Sequence, residues 1–204
     1  MSGEPEVHEY DVLVVGKGNA ALCAALAAHD EGARVGMLEA ASEDESGGNS
    51  RFAGGVMRFA YNGVEDLRRV TEISPEEEAS SDFDSNTTDE YFDTLFRLTQ
   101  FRTDSNLSEI LVTRSLDTMA WLRAKGVKFV LNYGRQSGIV NGRRRYFGRM
   151  PIEAHGGGAG LVASLDRAIA KAGIPVHFST RATKLLQDGQ RVIGVQALRA
   201  GRGV

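Results

Sequence analysis

Gly16-Lys-Gly-Asn-Ala-Ala21 carries the spacing G-x-G-x-x-A, and a carboxylate, Glu39, closes the next apolar run. Residues of these types at this spacing can recognise a dinucleotide. Gly16 permits a tight turn and Gly18 lets the backbone approach a pyrophosphate. The N–H groups of Asn19, Ala20 and Ala21, opening a helix, lack intrahelical acceptors and attract negative charge. Glu39 can accept hydrogen bonds from ribose hydroxyls and repels a 2′-phosphate. A second loop follows, Gly47-Gly-Asn-Ser-Arg-Phe-Ala-Gly-Gly55. Its glycine pairs, Gly47-Gly48 and Gly54-Gly55, can press against a flat ligand, and the short side chains of Asn49 and Ser50 between them can donate to it. One basic group could face an anion: Arg143-Arg-Arg145. Its alternative is a charged, exposed hairpin edge.

The elements that must position these residues are legible in the same pattern. Asp11–Val15 predicts a buried parallel strand, 20–28 a helix of small residues that can lie close on a sheet, Gly32 its stop, and 33–38 a second strand. The fingerprint is thus set in strand, turn, helix, strand and acid order. Residues 58–86 show no clear periodicity and are assigned no chemistry, and the region around Pro75 predicts a solvated loop with a short helix near it. A helix is expected from Thr88, with Tyr91, Phe92, Leu95, Phe96 and Leu98 as its apolar stripe. A second is expected over 106–125, packing through Leu107, Ile110, Leu111, Ser115, Met119 and Leu122 and stopping at Gly126. Lys128–Leu131 reads as a strand, and Asn141-Gly142 marks a hairpin turn. A helix over 159–172 ends at Gly173, 174–178 is a strand, and 183–187 with 192–196 flank Asp188-Gly189 as another hairpin.

The fingerprint alone does not separate NAD from FAD, and Gly47 to Ser50 has no evident role in an NAD enzyme. Taken together, 14–26, Leu38-Glu-Ala40 and Gly47-Gly-Asn-Ser50 resemble the FAD-binding half of the fumarate reductase and succinate dehydrogenase flavoprotein superfamily, and look most like its tricarballylate dehydrogenase branch. The resemblance implies an α/β fold: a Rossmann-like FAD-binding βαβ unit with a parallel sheet, an antiparallel hairpin layer over 174–198 and inserted helices. It implies FAD as cofactor, Gly48, Asn49 and Ser50 beside the flavin ring, the backbone of Ala182 near the adenine, and Arg149 and His155 on the substrate side. It further implies hydride exchange with a carboxylate-bearing small molecule and an electron acceptor or donor still to be identified. Relatives acting on ketosteroid, urocanate or aspartate share this front half. In the superfamily the catalytic residues come later than residue 204, so 10–204 is expected to be an incomplete FAD-binding domain behind a disordered tail, 1–9. A non-catalytic dinucleotide-binding module is the competing class.

Composition agrees with a small-molecule handler. The 204 residues are 42% hydrophobic and 25% charged, with a net charge of −3, which disfavours nucleic acid as partner. Cys23 is the single cysteine, so neither an internal disulfide nor a cysteine metal site is available, and no metal is expected. No stretch approaches the ~20 apolar residues that cross a bilayer, and the amino terminus lacks a basic and apolar leader pattern. The expected location is the cytoplasm.

Overall fold

The computed structural model describes residues 6–134 and 136–199. The chain divides into two compact units, Met1–Ala53 with Val162–Val204, and Gly54–Leu161.

The first unit opens with β1 (Val12–Val15), α1 (Asn19–Asp30) and β2 (Val35–Leu38), with β1 and β2 parallel and in register from Val12↔Val35 to Val15↔Leu38. The small residues of α1 let it lie close on these strands through Leu22, Ala25 and Leu26. Gly32, at a φ of 84°, ends it, as its position predicts. All four residues of β2 are buried. β1 departs from expectation: Val12 and Val15 are exposed, because β1 forms the edge of the sheet. A short 3-10 turn covers Gly48–Phe52, where the sequence predicts only a loop. Residues 6–9 carry no regular element, and the His8 ring stands 4.7 Å from that of His177. The rest of the expected tail, residues 1–5, lies outside the described residues.

The second unit holds α2 (Val64–Arg68), α3 (Pro75–Ser80), β3 (Ser81–Asp82), α4 (Thr88–Thr99), α5 (Ser105–Ala124), β4 (Phe129–Leu131), β5 (Ser137–Val140), β6 (Arg143–Tyr146) and β7 (Ile152–Ala154). The short helix expected near Pro75 is α3, which has no buried residue, whereas other parts of 58–86 supply core. Phe59, Tyr61, Leu67, Val70 and Phe83 are buried there, and Asn86 is buried too, donating its side-chain N–H to the Phe59 carbonyl at 2.7 Å. Its apolar residues lie in short pieces of changing direction, so they leave no period for a pattern to find. β5 and β6 make the expected hairpin, and Asn141 and Gly142 both have positive φ, as a type I′ turn requires. β4 pairs antiparallel with β7, a strand the glycine-rich sequence around it conceals.

Of the two long helices of this unit, α4 starts at Thr88, as expected, and α5 one residue before the sequence signal. α4 is capped by Thr87, whose side chain accepts from the Glu90 N–H while Glu90 accepts from the Thr87 N–H. α5 is capped by Asp104. Its buried face is Ser108, Val112, Ser115, Met119 and Leu122, whereas Leu107, Ile110 and Leu111, expected in the core, are exposed.

The chain returns to the first unit through α6 (Gly157–Lys171), whose residues from Val162 onward belong there, followed by β8 (Val176–His177), β9 (Thr180–Asp188) and β10 (Arg191–Arg199). β8 pairs in parallel with β2. The antiparallel layer is therefore β9 and β10 alone, and the expected strand at 174–178 completes the parallel sheet in the order β1-β2-β8.

Candidate functional site

The fingerprint turn lies between β1 and α1. Gly16 donates its N–H to Leu38 at 2.7 Å, which ties the turn to the end of β2. Gly18 caps α1 with no side-chain partner. The first-turn N–H groups of a helix have no intrahelical acceptor, so those of Asn19, Ala20 and Ala21 face outward at the positive end of the helix dipole. One of them is engaged: the Asn19 N–H donates to Ser50 Oγ at 3.0 Å. Gly18 has extended backbone, and a Cβ on it would stand 3.5 Å from Ser50 Oγ and 3.8 Å from the Gly47 carbonyl oxygen. A Cβ on Gly48 would stand 3.8 Å from Gly18 Cα. Gly16, Gly18, Asn19, Gly48 and Ser50, 31 positions apart between Asn19 and Ser50, are thus one cluster. Asn49 lies between two of its members.

Glu39 and Ala40 leave β2 at the same edge. One Glu39 carboxylate oxygen accepts from the Ala41 N–H at 2.7 Å, which fixes the side chain and leaves the other oxygen for a hydroxyl donor. The Glu39 backbone N–H donates to His177 at 2.9 Å and its carbonyl accepts from the Thr180 N–H at 2.8 Å. The start of β9, and with it Ala182 two residues on, is held against this corner. Cys23 is half-buried on α1, and burial pushes its thiol up to about 11, so it stays protonated and unreactive.

A family model described as FAD binding domain matches residues 11–204. The chain belongs to this family. FAD is accordingly its cofactor. A fumarate reductase (cytochrome) of Shewanella frigidimarina is 28% identical over 183 residues, covering 90% of this chain and 28% of that protein. The chain therefore spans less than a third of that relative's length. Among solved structures, the open conformation of a flavocytochrome c3 fumarate reductase matches with a TM-score of 0.65 at 26% identity, over 92% of this chain and 30% of that one. The 3-ketosteroid-delta4-(5alpha)-dehydrogenase of Rhodococcus jostii RHA1 matches in fold, with a TM-score of 0.67 at 22% identity over 98% of this chain and 44% of that one. The similarity to the fumarate reductases thus rests on sequence and on fold.

The cluster suits FAD. At Gly18 the missing side chain leaves open backbone beside free helix N–H groups, the donor set a pyrophosphate needs. At the end of β2 that the turn is tied to, Glu39 offers a carboxylate oxygen of the kind a ribose diol needs.

The remaining expected residues belong to the second unit. Gly55 has a packing task there: a Cβ on it would come within 2.7 Å of Gly157 Cα, and its carbonyl accepts from the Ala154 N–H at 2.8 Å. Its neighbour Gly54 opens that unit. Arg149 pairs with Glu90 at 2.6 Å and lines a cavity of about 560 Å³ together with Arg58, Arg97, Arg145 and Asp82. The His155 side chain is exposed and is not among the residues lining that cavity.

The arginine triplet does not lie on an edge strand, and Arg145 lines the cavity that holds Arg149. β6 is the central strand of the sheet β3-β6-β5. Arg143 donates to the carbonyls of Ala79 and Ser81, Arg144 donates to Ser137 Oγ at 3.0 Å, and Arg145 pairs with Asp82 at 3.3 Å.

Sequence reading passes over Lys17 and Asp166, whose side chains meet at 2.6 Å. The available signal is a lysine between two glycines of a turn that must lie against a sheet, since such an ammonium requires a partner. No helix among the described residues is long and apolar enough to cross a membrane.

Proposed function

We propose that this chain is the FAD-holding part of a dehydrogenase or reductase that exchanges hydride between flavin and a carboxylate-bearing substrate such as tricarballylate, fumarate or succinate. The observation that carries the proposal is the joining of the Gly16–Ala21 turn to the Gly47–Ser50 loop through the Asn19 N–H and Ser50 Oγ. Two loops that the sequence separates form one surface. One of them has the donors for a pyrophosphate, and the other has the short polar side chains that a flat ring can lie against.

In this reading Gly16, Gly18, Asn19, Ala20 and Ala21 hold the pyrophosphate, Glu39 and Ala40 the ribose, and Ala182 the adenine. Gly48, Asn49 and Ser50, with Gly54 and Gly55, border the flavin ring. Bound FAD supplies the hydride chemistry. The chain's residues orient the cofactor: Ser50 keeps its loop on the helix terminus, and Glu39, fixed by the Ala41 N–H, sets the ribose end. Arg149 and His155 are assigned to the substrate, because a guanidinium and an imidazole suit carboxylates. The groups that move protons are assigned to sequence beyond residue 204, in a whole protein of the cytoplasm with a separate electron acceptor or donor.

The test is the visible spectrum of the purified chain and the nucleotide released on denaturation, followed by anaerobic bleaching of the flavin in the longer natural protein with each candidate acid. Flavin bands, released FAD and bleaching by tricarballylate or succinate support the proposal. A colourless chain that takes up no added FAD overturns the cofactor assignment. Bleaching by a ketosteroid and by none of the acids overturns the substrate class.

A further inference from the structure

Recognition of a pyrophosphate at a G-x-G turn uses backbone N–H groups, so the residue between the glycines needs no chemistry of its own for that purpose. Here it is Lys17, only 6% exposed. A buried ammonium is strongly unfavourable unless it is paired. Its Nζ lies 2.6 Å from Asp166 Oδ1 and 5.5 Å from the centroid of the Phe178 ring.

Asp166 belongs to α6 and follows Val162 by four residues, so both lie on one helix face. Val162 touches the other loop: a Cβ on Gly47 would stand 3.2 Å from Val162 Cγ1. One face of α6 therefore bears on both loops of the cluster, through Asp166 on the turn and through Val162 on Gly47. The loops meet each other at Ser50 and Asn19. Three contacts among three segments fix the relative positions of all of them, and the Lys17–Asp166 pair is the charged one.

We infer that Lys17 and Asp166 are positioning residues for the cofactor: their ion pair on the Val162 face of α6 holds the pyrophosphate turn in register with the Gly47–Ser50 loop and so sets how tightly FAD is held. The inference rests on the FAD reading of that turn. Lys17 acts through the backbone it carries and is not itself a phosphate ligand, because its ammonium is engaged by Asp166.

The test is a cycle of Lys17→Met, Asp166→Asn and the double variant, with Lys17→Arg as the conservative control. FAD affinity is read from flavin fluorescence on titration of the full chain. Hydrogen exchange of the 16–19 amides without FAD and the melting temperature are read in parallel. Each single variant is expected to weaken FAD binding roughly tenfold, and the double no more than the worse single, because one interaction is lost in all three. The turn amides exchange faster while those of α5 do not change, and Lys17→Arg keeps most of the affinity.

Should the single variants unfold, Lys17→Met with Asp166→Leu replaces the pair by apolar groups, which keeps the fold, and weakened FAD binding is still expected. The inference is overturned if Asp166→Asn binds FAD as tightly as wild type while Lys17→Met does not, which makes Lys17 a direct phosphate ligand. It is also overturned if melting falls with neither affinity nor turn exchange altered, which makes the pair a stability element only. A wild-type chain that takes up no FAD overturns the FAD reading instead. Exchange at the turn then judges the pair alone, faster exchange in the variants supporting it and unchanged exchange refuting it.

Discussion

Gly18→Ala separates folding from cofactor binding, and both effects follow from the geometry. Gly18 has a φ of −77° and a ψ of 177°, extended backbone that alanine adopts freely. The new methyl would meet Ser50 Oγ at 3.5 Å and the Gly47 carbonyl oxygen at 3.8 Å, ordinary contact distances. The folded chain therefore accepts it, at a cost of about 1 kcal/mol or less for alanine in place of glycine as helix cap. For a chain of this size that lowers the melting temperature by about 2–4 °C. In the proposed reading a pyrophosphate comes within hydrogen-bond distance of this backbone, and the same methyl, set toward Ser50 and Gly47, narrows its approach. Losing one hydrogen bond to a charged group forfeits about 1.5–3 kcal/mol, which is about 10- to 150-fold in Kd. Thermal melting of the apo chain and a flavin fluorescence titration measure the two quantities on one preparation. A variant that melts near wild type and binds FAD with wild-type affinity removes the pyrophosphate from this turn. One that loses binding only together with its fold refutes the claim that Gly18 is free for a ligand.

Gly55→Ala should behave in the opposite way: its Cβ would lie 2.7 Å from Gly157 Cα and 2.8 Å from Gly157 C at a φ of +80°, so a loss of about 3 kcal/mol or more is expected in urea unfolding. A midpoint shift below about 1 kcal/mol in the same experiment would show that the two backbones separate easily. Thr87→Ala removes the reciprocal cap of α4 and should cost about 0.5–2 kcal/mol by the same measurement; an unchanged midpoint would mean that α4 needs no cap. His177 accounts for a pH effect. Burial, and then the positive potential of His8 and Arg199, holds its imidazole below the ordinary 6.5. The folded state thus binds fewer protons there than the unfolded state. Stability from this group is complete above pH 6.5 and is lost as pH falls through the depressed folded value. The Tyr10 hydroxyl, 2.8 Å from His177 Nε2, should loosen with it. Proton NMR titration of the imidazole checks this, and a midpoint at or above the ordinary value contradicts it.

The sequence by itself determined the βαβ unit, because every signal in it is local. An apolar run, two glycines at fixed spacing, a helix of small residues, a glycine stop and a closing acid each act on neighbours within about a turn or a strand. The Asn141-Gly142 hairpin and the start of α4 at Thr88 were legible for the same reason. What only the tertiary structure decided depends on partners far along the chain. α5 has apolar residues on more than one face, so periodicity could not choose Val112 and Met119 over Leu107 and Ile110. His177 reads as part of an antiparallel layer until β2, whose Leu38 it pairs with, takes it into the parallel sheet. The buried residues of 58–86 have no period, because their directions are set by the chain folded around them. Lys17 and Asp166, separated by 149 positions, illustrate the limit most clearly. The sequence shows a lysine in a glycine turn and an aspartate in a helix, and only folding buries the lysine and brings it the carboxylate its ammonium requires.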